Sequence, residues 1–337
     1  MMDRFVYITD SHFMKNNIKS RTDDYPKALF KKLKWVFKYC KKKKIKNIIH
    51  GGDLLDNPYV SDYIAGKIAR LFDRAGVQLY YTIGNHDITG KNPETYVNGK
   101  LHMFESYKWF HFIGRGVTEF NNCILHGVDY NKEDEDSVDF NIPIGTEDKY
   151  EDKVKIIVIH HMITGDKNSL IIKGRRRLIS YTDITTNADI VLCGHYHPGL
   201  KIKKTLQLER PITFANPGSF GRTDSWASEH GCGPALIDVK IKKGKIPILK
   251  FVVIPHEKNV FKPTKEDKYN VNDLVNSSKF VEMLNKFKAS GVGTDEIETI
   301  LDALMADTDS LPFELDEDIR EFILNKIKAV KDASHKR

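Results

Sequence analysis

The sequence predicts an α/β fold in which two β-layers are flanked by helices, with a small helical region at the carboxy-terminal end. Three observations predict it. Short apolar, β-branched runs alternate with amphipathic stretches through the first part of the chain. Residues 212–254 then read as strands and turns alone, a hairpin-rich end to a sandwich-like domain. Beyond residue 270 the pattern is helical throughout. The chain of 337 residues divides accordingly into a domain over residues 1–255, a Pro-containing linker over 256–270 and a helical region over 271–337.

Composition sets further bounds. The amino terminus runs straight into a strand-like segment, and no apolar stretch approaches the roughly 20 residues that span a bilayer. An intracellular, cytoplasmic protein with no membrane partner is the expectation. Cys40, Cys123, Cys193 and Cys232 are widely spaced without a CxxC pair, which fits core thiols in a reducing compartment. The formal charge of +7 is unevenly spread. Lys41 to Lys44 with Lys46, Lys173 with Arg175, Arg176 and Arg177, and Lys201 with Lys203 and Lys204 form basic clusters suited to a polyanion. Taken one at a time, each is more readily read as a solvated face.

Residues 5–9 read as the first strand, ending in Asp10-Ser11-His12. A helix follows from Asp24-Tyr25-Pro26, with Leu29, Phe30, Leu33, Val36, Phe37 and Cys40 on one face and lysines opposite. Residues 47–50 form a strand that breaks at Gly51-Gly52-Asp53-Leu54-Leu55-Asp56. Ser61 caps the next helix, Ile64, Ile68, Leu71 and Phe72 make its apolar stripe, and Gly76 ends it. The strand over 77–83 closes in Gly84-Asn85-His86-Asp87. After a weakly patterned stretch, residues 122–127, 154–160 and 190–193 read as buried strands. The last two end in His160-His161 and in Gly194-His195-Tyr196-His197. Residues 162–185 make a long basic connection, a candidate substrate loop. Apolar stripes at Phe280, Met283, Leu284 and Phe287, at Ile297, Ile300, Leu301 and Leu304, and at Ile319, Phe322, Ile323, Ile327 and Val330 mark the tail as helical, either packed on itself or docking a partner.

Singly, a strand-end Asp or His is a turn residue or a satisfied polar group. Jointly, Asp10, His12, Asp53, Asn85, His86, His160, His195 and His197 are a set of metal-type ligands delivered at the ends of successive strands, where open α/β sheets bind ligands. Mixed carboxylate, imidazole and amide ligands suit manganese, iron or zinc. With His86 set aside, seven ligands are too many for one ion that keeps an open position, and they fit two ions sharing a carboxylate. Such a pair activates water and clamps a phosphoryl group. His86, beside Asn85, is left free to neutralise phosphate charge or protonate the leaving oxygen, with Asp87 fixing its ring.

Asp10-x-His12, Gly52-Asp53, Gly84-Asn85-His86-Asp87, His160 and Gly194-His195-x-His197, in this order, resemble the signature of the calcineurin-like metallophosphoesterase superfamily. The resemblance implies a metallophosphoesterase β-sandwich with α-β-β-α layering. It implies one ion held by Asp10, His12, Asp53 and His197 and a second by Asp53, Asn85, His160 and His195, with His86 catalytic. It favours His160 over His161, because the family's ligand closes an apolar strand as Ile157-Val158-Ile159-His160 does. Between the motifs, Gly52-Asp53-Leu54-Leu55-Asp56, Ala75-Gly76-Val77 and Asn216-Pro217-Gly218-Ser219 with Arg222 are similar to SbcD-type double-strand-break repair nucleases. That likeness implies a nuclease for DNA repair and recombination that uses Mn2+, with Fe, Zn or Mg as alternatives. It also implies a homodimer and a coiled-coil ABC ATPase partner of the SbcC type bound through the tail. Lys173, Arg175, Arg176, Arg177 and Arg222 are the candidate DNA contacts. Many relatives carry a β-containing cap after the phosphoesterase domain, whereas the tail here reads as short and helical. The same metal centre also suits a phosphoesterase for a nucleotide, cyclic nucleotide or phosphoprotein. A scaffold without activity is disfavoured by the intact ligand set.

Overall fold

Residues 5–8, Phe-Val-Tyr-Ile, are buried on both faces, as a strand with no polar alternation must be. They lie in the first strand of a computed structural model that describes residues 2–130, 138–143, 148–165, 178–207 and 209–262. In chain order the strands are β1 (Met2–Ile8), β2 (Asn47–His50), β3 (Gln78–Tyr81), β4 (Phe110–Phe112), β5 (Val117–Glu119), β6 (Cys123–Val128), β7 (Val154–His161), β8 (Ile163–Thr164), β9 (Ile179–Ser180), β10 (Ile190–His195), β11 (Lys201–Gln207), β12 (Arg210–Asn216), β13 (Ala235–Lys242) and β14 (Ile248–Val253). The helices are α1 (Tyr25–Lys43), α2 (Asp62–Ala75), α3 (Lys100–Met103) and α4 (Ser225–His230).

Two six-stranded sheets result, ordered β14-β13-β1-β2-β3-β4 and β11-β12-β10-β7-β6-β5. Alternation along single strands shows how they stack. Phe5 and Tyr7 pack between the sheets with Val158, Leu192 and Ile237, whereas Val6 and Ile8 face the helices with Leu29, Val36 and Ile64. In the second sheet Ile156 and Val158 point inward and Ile157 and Ile159 outward, under Phe140, Ile142, Ile184 and Leu200. The α/β sandwich expected from the sequence is therefore present. Among the described residues, non-helical segments such as 138–143 and 184–188 pack on the outer face of the second sheet.

Helix α1 starts where the sequence places it, with the Asp24 side chain accepting a hydrogen bond from the Lys27 amide. One residue of its basic face departs from the expectation. Lys32 is buried, and its ammonium donates to the carbonyls of Phe220 and Gly221. Ser61 stands at the start of α2 without a side-chain capping bond, and Gly76 ends that helix at φ +62°.

Strand β11, read in the sequence only as a basic cluster, is an edge strand paired along its length with β12. Exposed Lys201, Lys203 and Lys204 interrupt its apolar alternation, a common device for protecting a sheet edge. The compact unit extends to Lys262, past the expected boundary at residue 255. The amide of Thr22 donates to the carbonyl of Val260 at 2.8 Å, and that of Lys262 to Ser20 at 2.7 Å, so the start of the expected linker is pinned to the domain. The helices expected over 271–337 lie outside the described residues. Among the described residues no helix is long and apolar enough to cross a membrane.

Candidate metal centre

Strands β1, β2 and β3 are mutually parallel, as are β6, β7, β10 and β12. Parallel strands bring their carboxyl ends to one edge. Asp10 and His12 follow β1, Asp53 follows β2, Asn85 follows β3, His160 and His195 lie at the ends of β7 and β10, and His197 is two residues further on. The turns that present them are tight. Asp10, His12, Asp53 and His195 all have positive φ, between 47° and 71°. This conformation costs a non-glycine residue about 1–3 kcal/mol and is held only where surrounding bonds impose it.

Those bonds are visible. The amides of Asp10 and His12 donate to the carbonyls of Gly52 and Asp53 at 3.1 and 3.0 Å, locking the first turn to the second. Segment 216–221 lies beneath: Ser219 Oγ and the Gly221 amide both donate to the Asp10 carbonyl, and the Ser219 amide donates to that of His197. The Asn-Pro-Gly-Ser motif is thus a staple between two ligand turns. Glycine is required where the turns touch. A Cβ on Gly84 would lie 2.1 Å from Asp53 Oδ1, and one on Gly52 2.4 Å from His160 Nδ1.

The ligand atoms form two groups joined at Asp53. In the first, His197 Nε2 lies 3.2 Å from His12 Nε2 and 3.5 Å from Asp10 Oδ1, and His12 Nε2 is 3.6 Å from Asp53 Oδ2. In the second, His160 Nε2 lies 3.3 Å from Asp53 Oδ2 and 3.3 Å from Asn85 Oδ1. His195 joins Asp53 and His160 in a potential metal-holding group. With metal–ligand bonds of roughly 2.0–2.2 Å, two atoms on one ion should be about 3.0–3.6 Å apart, and the measured separations fall in that range. Asp53 is the hinge of the arrangement. Its Oδ1 accepts from the His86 amide at 2.8 Å, while Oδ2 is buried without a hydrogen-bond partner between the two groups. A buried carboxylate oxygen left this way is costly unless a cation takes it. The residues therefore fit two ions sharing Asp53.

Electrostatics point the same way. Burial would raise Asp53, but His160, His12 and His86 hold its carboxyl well below the ordinary range. Burial would lower His160, but Asp53 and Asp10 lift it to about 9. Likewise His197 is lifted to about 10 against burial by Asp10 and Asp224. Beside Asp53 and Asp10 these two rings are thus positions that favour positive charge, and a cation bound there would take the place of their protons.

The two adjacent histidines stand in different surroundings. His160 Nδ1 is 2.7 Å from the Gly51 carbonyl, so it carries the proton there and Nε2 faces Asp53 and Asn85. His161 packs on Phe140 and, together with His160, His126 and Asp129, lines a cavity. His86 is exposed, its ring 4.7 Å from that of His12, and its Nδ1 lies 2.9 Å from the Asp56 carbonyl. This corrects the role expected for Asp87. Its carboxylate is fully buried and accepts from the amides of Leu55 and Gly84, both at 2.9 Å, bracing the backbone of two ligand turns instead of the His86 ring. Burial and the charge of Asp53 push it up to about 7.

Arg222 also departs from expectation. It is 8% exposed, and its guanidinium donates to Ser228 Oγ and to the carbonyls of Glu257 and Lys258, so it serves the domain interior and not a nucleic-acid surface. Lys173, Arg175, Arg176 and Arg177 lie outside the described residues. Two residues passed over in the sequence stand beside the ligands. Asp56 Oδ1 is 3.7 Å from His12 Nδ1, and Asp224 Oδ2 is 3.3 Å from His197 Nδ1. Asp56 could have been suspected from its place three residues after Asp53. Asp224 carries no local signal.

Residues 3–199 match the family described as Calcineurin-like phosphoesterase. Among curated proteins the chain is similar to the uncharacterized protein YvnB of Bacillus subtilis (strain 168), at 24% identity over 225 residues covering 62% of this chain and 16% of YvnB. The chain thus spans about a sixth of the length of that relative. Among solved structures it is similar to TT1561 of Thermus thermophilus, at 12% identity and a TM-score of 0.40, covering 66% of this chain and 92% of that one. It is also similar to a dimetal phosphatase from Danio rerio, at 12% identity and a TM-score of 0.41, covering 75% of this chain and 99% of that one.

Proposed function

The chain belongs to the calcineurin-like phosphoesterase family of metal-dependent hydrolases, and from that premise we propose that it is a dinuclear-metal nuclease hydrolysing phosphodiester bonds in DNA. The observation that carries the phosphodiesterase part is the convergence of two ligand groups on the buried Asp53 Oδ2. Bound there, two ions would supply an activated water and a clamp for the phosphoryl oxygens. The residues of the chain do the rest. Asp10, His12, Asp53 and His197 would hold one ion, and Asp53, Asn85, His160 and His195 the other. His86, outside both groups, would neutralise phosphate charge or give a proton to the leaving oxygen. Its Nδ1 is committed to the Asp56 carbonyl, so Nε2 is the atom available for this.

DNA as substrate is supported by the SbcD-type motifs between the ligands and by the basic clusters, including exposed Lys201, Lys203 and Lys204. Manganese, a homodimer and a coiled-coil ABC ATPase partner belong to the same reading. Tyr59 and Tyr63, about 60% exposed around the start of α2, supply apolar surface for a second copy. A second reading, a phosphoesterase for a nucleotide, is favoured by one feature. A cavity of about 520 Å³ lies beside His160, lined by His126, Asp129, Asn141 and His161, a size that admits a small ligand.

End-labelled single- and double-stranded DNA, incubated with Mn2+ and the protein, separates the two. Salt-sensitive cleavage that disappears in Asp53→Ala and His86→Ala supports the nuclease. Turnover of a small phosphodiester with intact DNA, with or without an ATPase partner, would replace it by the second reading.

A further inference from the structure

The imidazoles of the metal centre differ in what stands behind them. His160 gives its Nδ1 proton to a neutral acceptor, the Gly51 carbonyl, at 2.7 Å. His12 Nδ1 has no hydrogen-bond partner, with Asp56 Oδ1 3.7 Å away. His197 is backed by a carboxylate within bonding distance, its Nδ1 lying 3.3 Å from Asp224 Oδ2. Asp224 is held for this by its other oxygen, because Oδ1 accepts the Ala227 amide at 2.7 Å at the start of α4.

We propose that Asp224 is a positioning residue for the ion site formed by Asp10, His12, Asp53 and His197. It holds the His197 ring with the Nδ1 proton turned outward, so that Nε2 faces the ion position between His12 Nε2 and Asp10 Oδ1. The inference rests on the two-ion reading above. A carboxylate behind a metal-binding imidazole fixes its tautomer and strengthens it as a donor. A carboxylate can do this and cap α4 together, one oxygen for each. An asparagine cannot, since its amide has a single accepting oxygen. The first site would take Asp10 and Asp53 as charged ligands with Asp224 behind His197, and the second would share Asp53 with Asn85, His160 and His195. Thr223 Oγ1 is the competing partner, 3.4 Å from His197 Nδ1.

The test is calorimetric titration of Mn2+ into the full metal-free chain, comparing wild type with D224N, D224A and T223V. The expected result is a loss of about 10–100-fold in one of the two steps for D224N and D224A, with the other step changed less than about twofold, and no such loss for T223V. Equal weakening of both steps, no weakening, or the same loss in T223V would overturn the inference. Long-range proton–nitrogen NMR of the metal-free chain supplies a second readout. His197 should be a single Nδ1-protonated form or imidazolium in wild type and gain the Nε2-protonated form in D224N; an unchanged spectrum would also overturn it. Failure of the wild type to take up Mn2+ would count against the two-ion reading itself, and the NMR comparison would still judge Asp224.

Discussion

Oδ2 of Asp53 lies 3.3 Å from Nε2 of His160, both side chains at most 1% exposed, and no hydrogen bond satisfies that oxygen. One atom thereby belongs to both ligand groups. Asp53→Asn keeps the volume but gives up the charge, and we expect it to reduce bound metal from two ions per chain to one or none, measured by elemental analysis after dialysis. Phosphodiester turnover should fall by at least about a hundredfold, the loss usual when a preorganised charge is removed from an active site.

Metal should also stabilise the fold. Ions that bind only the native state at a hundred times their dissociation constant add about 2.7 kcal/mol. Saturating Mn2+ should therefore raise the melting temperature in calorimetry, chelator should reverse the rise, and Asp53→Asn should abolish most of it. An identical melting curve with and without metal would contradict the site.

His86 divides binding from chemistry. Its ring stands outside both ligand groups and its Nδ1 is tied to the Asp56 carbonyl. His86→Asn should retain two ions and lose about 10²–10⁴-fold in turnover, the range for a positioned acid–base group. Loss of metal together with turnover would make His86 a ligand instead.

Gly84→Ala tests the packing of the turns. The added methyl would meet Asp53 Oδ1 at 2.1 Å and the Asp53 amide nitrogen at 2.3 Å, contacts that only backbone movement relieves. A destabilisation of about 1–3 kcal/mol is expected in urea unfolding, with metal affinity reduced as well because the carboxylate that must move is the shared one.

Asp238 offers a pH test away from the metal centre. Burial would raise its carboxyl, but Arg4 and Tyr39, which donate at 2.5 to 2.8 Å, hold it below the ordinary value. A lowered folded-state value means that the stabilisation is complete above the unfolded value of about 3.9 and is lost as pH falls through the folded value. Asp238→Ala should cost about 3 kcal/mol at pH 7 and distinctly less at pH 3, as followed by urea unfolding at each pH.

The ligand types and the strands that deliver them were legible because both are local. A β-branched run ending in glycine, aspartate or histidine says where a strand stops and what stands at its end. The runs ending at Asp53, Asn85 and His160 could be read this way, as could the helix start at Asp24 and the helix stop at Gly76. Edge strand β11 was hidden, because Lys201, Lys203 and Lys204 obscure the alternation that marks a strand.

What could not be read from the chain was the use of each group once neighbours arrived. Asp87 and Arg222 carry charges in sequence positions that suggest a role toward His86 and toward DNA. Burial turns Asp87 to the amides of Leu55 and Gly84, and Arg222 to Ser228 and the 257–258 carbonyls. Asp224 lies 27 positions from the ring it faces. Local sequence specifies which donors a turn offers, because that depends on the residue and its backbone. Which acceptor each donor meets depends on packing of distant segments, and so did the choice of Oδ2 of Asp53 as the atom two sites share.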